Sequence, residues 1–186
     1  MRRLGSTLIG LTALTLIVTA CQSDLYTIRG EARQFADGTL LCLTTNLNND
    51  TADCDTIRVT DGRFTYTATA ADIHLCRLYA PTSPDASVLL FTEPGNIYVE
   101  LSPLSGHSRV SGTKTNNEWQ ALCDTVAHYD RRLRTLVTTA RDSLSPRATA
   151  TQMERHYATL TQRIREAAER NKDNALGRFI IERFTP

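Results

Sequence analysis

Apolar and polar residues alternate over short stretches in the first half of the chain and recur at helical spacing in the second half. Between residues 25 and 112, runs of β-branched and aromatic residues are separated by turn residues. Such punctuation, roughly every eight to twelve positions, is typical of an antiparallel sandwich or barrel. The pattern predicts about eight strands, at residues 25–33, 39–45, 54–60, 62–69, 73–80, 87–92, 95–101 and 107–112.

Three turn sequences separate these predicted strands. Asp61 and Gly62 lie between two alternating segments, which favours a type I′ turn and a hairpin. Residues 46–50, rich in Asn, predict the tip of a second hairpin. Pro94 and Gly95 predict a third tight turn between strands.

Apolar residues spaced alternately three and four apart follow residue 112 and predict two long helices. The first stripe comprises Trp119, Leu122, Val126, Tyr129, Leu133, Leu136 and Ala140. The second comprises Met153, Tyr157, Leu160, Ile164 and Ala168. Ser145 and Pro146 between them suit a helix start, so the two helices fold back as an antiparallel hairpin. Residues 171–174 end the pattern before a short terminal helix.

The stretch from 110 to 119 joins the two kinds of pattern. Thr115 and Glu118 have capping-box spacing, which predicts the start of the first helix, and Gly112 suits a bend before it. We expect Trp119 at the junction of the halves. The helical stripes pack on each other and on the β half, or part of them is left for a partner, in which case Leu133 and Leu136 are exposed to solvent.

The predicted fold class is therefore α+β, with an antiparallel β-sandwich or barrel at residues 25–112 and a helical segment at 113–186. The hydrophobic fraction of 41% indicates a folded body and not a disordered one.

The amino terminus has the order of an export signal. Arg2 and Arg3 precede an apolar run at 8–18, which is too short to span a bilayer. The residues ending in Cys21 resemble a bacterial lipobox. This resemblance implies that residues 1–20 are a signal peptide and that Cys21 is lipidated, with 21–24 as tether. An ordinary signal peptide or an uncleaved anchor are the alternatives.

Gln22 follows the cysteine where Asp would suggest inner-membrane retention, so the expected location is the outer membrane. Asp24 is a lone acid and makes no surface-export tract, so the body is expected to face the periplasm. The expected membrane contact is the lipid anchor alone.

Charge is unevenly placed along the chain. Residues 22–112 carry six Arg and eleven acidic residues, a balance of −5, whereas residues 113–186 carry thirteen basic and nine acidic residues, a balance of +4. The arginines of the helices alternate with acids, which indicates solvated faces. Export also removes the chain from the cytoplasm, so no nucleic-acid partner is expected.

Four cysteines remain beside Cys21, namely Cys42, Cys54, Cys76 and Cys123. An even number in an oxidising compartment permits two disulfides in three connectivities. Cys42 and Cys54 are nearly symmetric about the hairpin tip, so a bridge between them is feasible. Cys76 shares a strand face with His74, which is either a small reactive site or a core cysteine beside a surface histidine.

The sequence shows no catalytic constellation, and no catalytic, cofactor-binding or metal-binding residue is predicted. There is no C-x-x-C, and no histidine has metal-ligand spacing from a cysteine. Residues 105–108 lack the context of a nucleophile elbow and are interpreted as a loop.

The order of four weak motifs, at residues 55–64, 91–97, 110–116 and 171–177, resembles the domain of unknown function 4369 with its helical segment. That domain precedes a thioredoxin-like domain in anchored envelope proteins of Gram-negative bacteria. No C-x-x-C of such a domain occurs in this sequence, so no catalytic residue transfers, and the resemblance implies the non-catalytic half of these proteins, as a stand-alone or a truncated form.

Three functional hypotheses follow. The first is a non-catalytic, lipid-anchored periplasmic module that binds or positions a ligand or another envelope protein. The second is an accessory or remnant domain of a thiol-disulfide oxidoreductase system, with a thioredoxin-like partner and with Cys76 or Cys123 exchanging. The third is a purely structural lipoprotein of the outer membrane, which differs from the first only in having no specific partner.

Overall fold

The computed structural model describes residues 24–47, 54–143 and 146–184 and places eight strands before three helices. The strands are β1 (Leu25–Glu31), β2 (Leu40–Thr44), β3 (Asp55–Arg58), β4 (Arg63–Thr69), β5 (Leu75–Ala80), β6 (Ser83–Phe91), β7 (Gly95–Glu100) and β8 (Arg109–Ser111). The helices are α1 (Lys114–Ser143), α2 (Pro146–Arg170) and α3 (Ala175–Phe184). The predicted α+β class is confirmed. Cys21, the signal peptide and most of the hairpin tip at 46–50 lie outside the described residues.

The strands form two four-stranded sheets, in the orders β4-β1-β7-β8 and β3-β2-β5-β6. Within the described ranges neither sheet closes on itself, so the architecture is a sandwich and not a barrel. Most neighbours are antiparallel, but β1 and β7 run parallel, with Ile28 opposite Ile97. Parallel neighbours need a long connection, and the strands from β2 to β6 supply it.

The predicted hairpin at Asp61 and Gly62 is wrong as a strand pair, although its turn is present. Both residues have positive φ, 50° and 67°, as a type I′ turn requires. Yet β3 and β4 belong to different sheets, joined at the turn by a single bridge between Thr60 and Arg63. Pro94 and Gly95 likewise connect β6 of one sheet to β7 of the other.

The core lies between the two sheets. Fully buried side chains alternate along the strands, among them Ile28, Leu41, Leu78, Leu90 and Ile97. Removing these apolar surfaces from water is the main favourable term in folding. The alternation read from the sequence thus sets which side of each strand is buried.

Helix α1 runs beside β8 in the opposite direction. The backbone N–H of Gly112 donates to Asn117 Oδ1 at 2.9 Å, and that of Val110 donates to Gln120 Oε1 at 2.8 Å. One helical turn further on, Asp124 forms an ion pair with Arg109 at 2.7 Å. The helix therefore begins at the end of the sandwich where β1 begins, and it passes the opposite end near Asp124.

The predicted capping box is wrong, because both of its residues have other roles. Helix α1 begins at Lys114, and the Thr115 N–H donates to the carboxylate of Glu93 at 2.8 Å. Glu118 accepts a hydrogen bond from the Asn171 side chain instead. A carboxylate at a helix amino terminus complements the helix dipole wherever it comes from, so a residue distant in sequence replaced the local one.

Candidate functional site

The two long helices extend beyond the sandwich as a paired projection, here called the helical arm, formed by residues 126–143 of α1 and 146–165 of α2. No described side chain of the arm is buried. At the base the helices are well covered, with Trp119, Leu122, Ala167 and Ala168 all buried. Eighteen helical residues span about 27 Å, so the arm extends from the body by roughly the diameter of a small domain.

Within the arm the helices contact each other along a seam that remains partly open. Leu133 and Leu136 are half-buried. On α2 the sequence placed Tyr157 in this seam, but Tyr157 is 53% exposed. The neighbouring His156 takes the inner position, with its ring 6.2 Å from that of Tyr129. The apolar stripe on each of the two helices is wider than the strip that the other helix covers, so part of each stripe stays exposed.

The side of each helix that faces the body at the base continues along the arm, where no described part of the chain buries it. Val137 follows Trp119 by five helical turns, and Tyr157 precedes Ala168 by about three, so each pair shares one side of its helix. Trp119 and Ala168 are buried, whereas Val137 is 45% and Tyr157 is 53% exposed. The structure thus exposes on the arm the apolar side that it buries at the base.

This uncovered side is called the body-side face of the arm, and it comprises Arg134, Val137, Tyr157, Thr161 and Arg165. Tyr157, Thr161 and Arg165 stand four residues apart and form one ridge of α2. Arg134 lies one turn from Val137 on α1 and pairs with Asp130 at 2.9 Å. The face therefore combines exposed apolar groups with guanidinium groups.

The arm as a whole is strongly basic. Residues 126–165 contain eight Arg and three acidic residues, a balance of +5, in a chain whose total charge is +1. Among the described residues, Arg131, Arg132, Arg147, Arg155 and Arg165 are exposed and form no ion pair. The arm therefore presents a positive potential to its surroundings.

At the end of the sandwich where β1 begins, a cavity of about 520 Å³ opens between the sheets. Its deep wall includes the buried Tyr26, Cys76 and Thr92, while Asp55 and His74 lie at its exposed rim. Beside it, the hydroxyl of Tyr66 donates to Asp55 at 2.5 Å. Within the described ranges, no cluster of His, Cys, Asp and Glu is arranged to hold a metal ion.

The cysteines fall into a bridged pair and two free thiols. Cys42 in β2 and Cys54, the residue before β3, form a disulfide with their Cα atoms 5.6 Å apart. Burial, with a smaller effect of Asp55, raises the pKa of the Cys76 thiol to about 11. Burial and the adjacent Asp124 raise that of Cys123 to about 12. Both thiols are protonated near neutral pH, and the nucleophile in thiol exchange is the thiolate.

His74 and Cys76 were expected on one strand face, as a reactive site or as a core cysteine beside a surface histidine. Cys76 is 3% exposed and belongs to the core, while His74 is exposed at the rim. The body-side face of the arm was not predicted from the sequence. The 18-residue spacing from Trp119 to Val137 places both on one side of α1. This spacing indicates an exposed continuation of a buried surface only once Trp119 is known to be buried.

Among residues 24–47, 54–143 and 146–184, no helix has the length and apolar character needed to cross a membrane. The model of one family, described as a domain of unknown function (DUF4369), matches residues 26–119, which is half of the chain. No curated protein and no solved structure matches the chain.

Proposed function

The chain belongs to the DUF4369 family, and we propose that it is a non-catalytic, lipid-anchored binding module of the cell envelope whose binding surface is the helical arm. The observation that carries the proposal is the contrast along each helix between a buried base and an uncovered arm. Trp119 and Ala168 are buried, and the same helix sides are about half exposed at Val137 and Tyr157.

Exposed apolar side chains that continue a buried surface are typical of an interaction site. Single exposed apolar residues are ordinary on a protein surface. Here, however, two of them lie on the same side of two paired helices, beside a partly open seam. A partner helix or domain on this side would continue the burial that the rest of the protein provides at the base.

The lipid anchor is supported by the lipobox-like sequence ending at Cys21. Two or more acyl chains, at roughly 0.8 kcal/mol per buried CH₂, hold a protein stably at a membrane. We expect the outer membrane as the site of anchoring and the periplasm as the compartment that the body faces. Replacing Cys21 with Ala should move the protein from the membrane fraction to the soluble fraction, and retention in the membrane would contradict this.

The alternative role in a thiol-disulfide system rests on the family resemblance. Exchange through Cys76 or Cys123 would require a thiolate, and burial disfavours the thiolate at both positions. These observations weigh against exchange through the two free thiols and favour the binding role.

Hydrogen exchange tests the arm as a binding surface. Amide exchange of the full-length protein is measured in native membranes and again after purification in detergent. Partner binding should slow exchange in the arm in membranes, whereas residues 114–125 at the buried base should exchange equally in both samples. Equal exchange of the arm in both samples would contradict the proposal.

A further inference from the structure

We infer that the body-side face of the arm binds a protein partner whose docking segment is apolar and acidic, and that this partner reaches the arm from the side away from the membrane. The inference rests on the proposed function, because it uses the anchor at Cys21 and the arm as the binding surface. It adds the chemistry of the partner and its direction of approach.

The direction follows from the topology. Strand β1 begins at Leu25, and Cys21 is three residues before Asp24, within a reach of about 11 Å. Helix α1 runs antiparallel to β8, which is antiparallel to β7, which is parallel to β1. Helix α1 therefore runs in the same direction as β1, and the arm projects from the end of the sandwich opposite the anchor.

This geometry places the arm far from the lipid surface to which the chain is anchored. The sandwich lies between the membrane and the arm, and the arm adds about 27 Å beyond the sandwich. A positive, partly apolar helical surface is otherwise typical of membrane association. Here it points into the aqueous compartment, which favours a soluble partner or a partner domain standing away from the membrane.

The residue types favour a protein over a simple polyanion. Tyr and Arg are enriched where proteins bind one another, usually as anchors in the centre of the interface. Tyr157 and Val137 provide apolar surface that a bound polyanion would leave exposed to solvent. Arg165 has no ion pair among the described residues, and a guanidinium binds a carboxylate in two parallel hydrogen bonds. An apolar helix flanked by Glu or Asp satisfies both features.

A second copy of the chain fits less well. Two copies anchored in one membrane stand in the same orientation, so an arm meets an arm. Each arm carries +5, and like charges oppose such an assembly at low salt. The acidic half of the chain, with its balance of −5, lies closer to the membrane than a neighbouring arm. Charge therefore favours a different, acidic protein.

Fluorescence anisotropy with two synthetic peptides tests the inference. Both peptides are amphipathic helices about three heptads long with the same Leu stripe, and one carries Glu on its flanks where the other carries Lys. The full-length protein in detergent should bind the Glu peptide, more weakly as salt rises, and should not bind the Lys peptide. Arg165→Glu should weaken binding of the Glu peptide at least about tenfold, as expected for a charge-assisted pair worth about 1.4 kcal/mol or more.

Arg132→Glu provides the matched control, because it makes the same charge change and lies two residues from Arg134, hence on the opposite side of α1. It should weaken binding several-fold less than Arg165→Glu. Failure to bind the Glu peptide, equal binding of both peptides, or equal effects of the two variants would overturn the inference. If the arm is nevertheless protected from exchange in membranes, the inference fails alone and the binding role stands.

Discussion

The side chain of Asn116 pairs with both backbone groups of Phe91, as a neighbouring strand would. Asn116 Oδ1 accepts from the Phe91 N–H at 2.8 Å, and Asn116 Nδ2 donates to the Phe91 carbonyl at 2.8 Å. Asn116 is fully buried, and its amide also donates to Thr113 Oγ1. One side chain in the first turn of α1 thus fastens the helical half to the end of β6.

Replacing Asn116 with Ala should destabilise the protein by about 2–4 kcal/mol, because each buried backbone group left without a partner costs about 1–3 kcal/mol. Chemical denaturation followed by the fluorescence of Trp119, the one tryptophan of the chain, measures this loss. Asn117→Ala is the control, since Asn117 is exposed and accepts one bond from Gly112. Equal effects of the two variants would mean that the pairing with Phe91 contributes little.

Replacing Gly30 with Ala should destabilise the sandwich by about 1–3 kcal/mol through overpacking. A Cβ at Gly30 would stand 1.9 Å from Cζ of Phe64, whose ring covers the glycine from the neighbouring strand. Thermal unfolding of Gly30→Ala beside Thr27→Ala, a change at a more exposed site on the same strand, measures the difference. An unchanged Tm for Gly30→Ala would show that Phe64 moves aside without cost.

Removing the Cys42–Cys54 disulfide by a double change to Ala should lower the free energy of unfolding by about 3 kcal/mol. The bridge closes a loop across 12 positions of sequence, and loops of about this size restrict the unfolded chain by that amount. Denaturation of the double variant and of the wild type, both without reductant, provides the test. Equal free energies of unfolding for the double variant and the wild type would show that the disulfide is not formed in solution.

The free thiols should react slowly with iodoacetamide in the folded protein. With its pKa raised from 9.0 to about 11, Cys76 has about 100-fold less thiolate at pH 8 than an ordinary cysteine. The raised pKa also makes stability depend on pH. The contribution of this thiol to the free energy of unfolding is fully present below pH 9 and is lost as the pH rises through about 11. Peptide mass spectrometry after alkylation, with and without denaturant, checks the prediction, and fast labelling of the folded protein would contradict it.

The strand pattern could be predicted from the sequence because alternation reports which side of a strand is buried, and Ile57 and Phe64 are buried as their alternation required. Sheet membership could not be predicted. Asp61 and Gly62 form the expected turn, but a turn does not determine whether the strands that follow it pair with each other. That choice depends on long-range partners, here β2 for β3 and β1 for β4.

The helices were predictable in position and direction but not in their contacts. The stripe placed Tyr157 in the seam, and the structure places His156 there, because one residue on a helix is a rotation of 100° and the stripe is wide enough for either. The cap was also mispredicted, since Glu93 is more than 20 residues from the helix start and no local spacing identifies it. The exposed side of the arm could be recognised only once the buried base was known.

Photo-crosslinking in living cells tests the role of the arm most directly. A photoreactive amino acid replaces Tyr157 on the body-side face or Thr67, an exposed residue on the outer side of β4, and the cross-linked segments are identified by mass spectrometry. We expect a discrete protein adduct from position 157, joined to an apolar and acidic segment, and none from position 67. No protein adduct from position 157, or the same adducts from both positions, would contradict the claim that the arm is the binding surface.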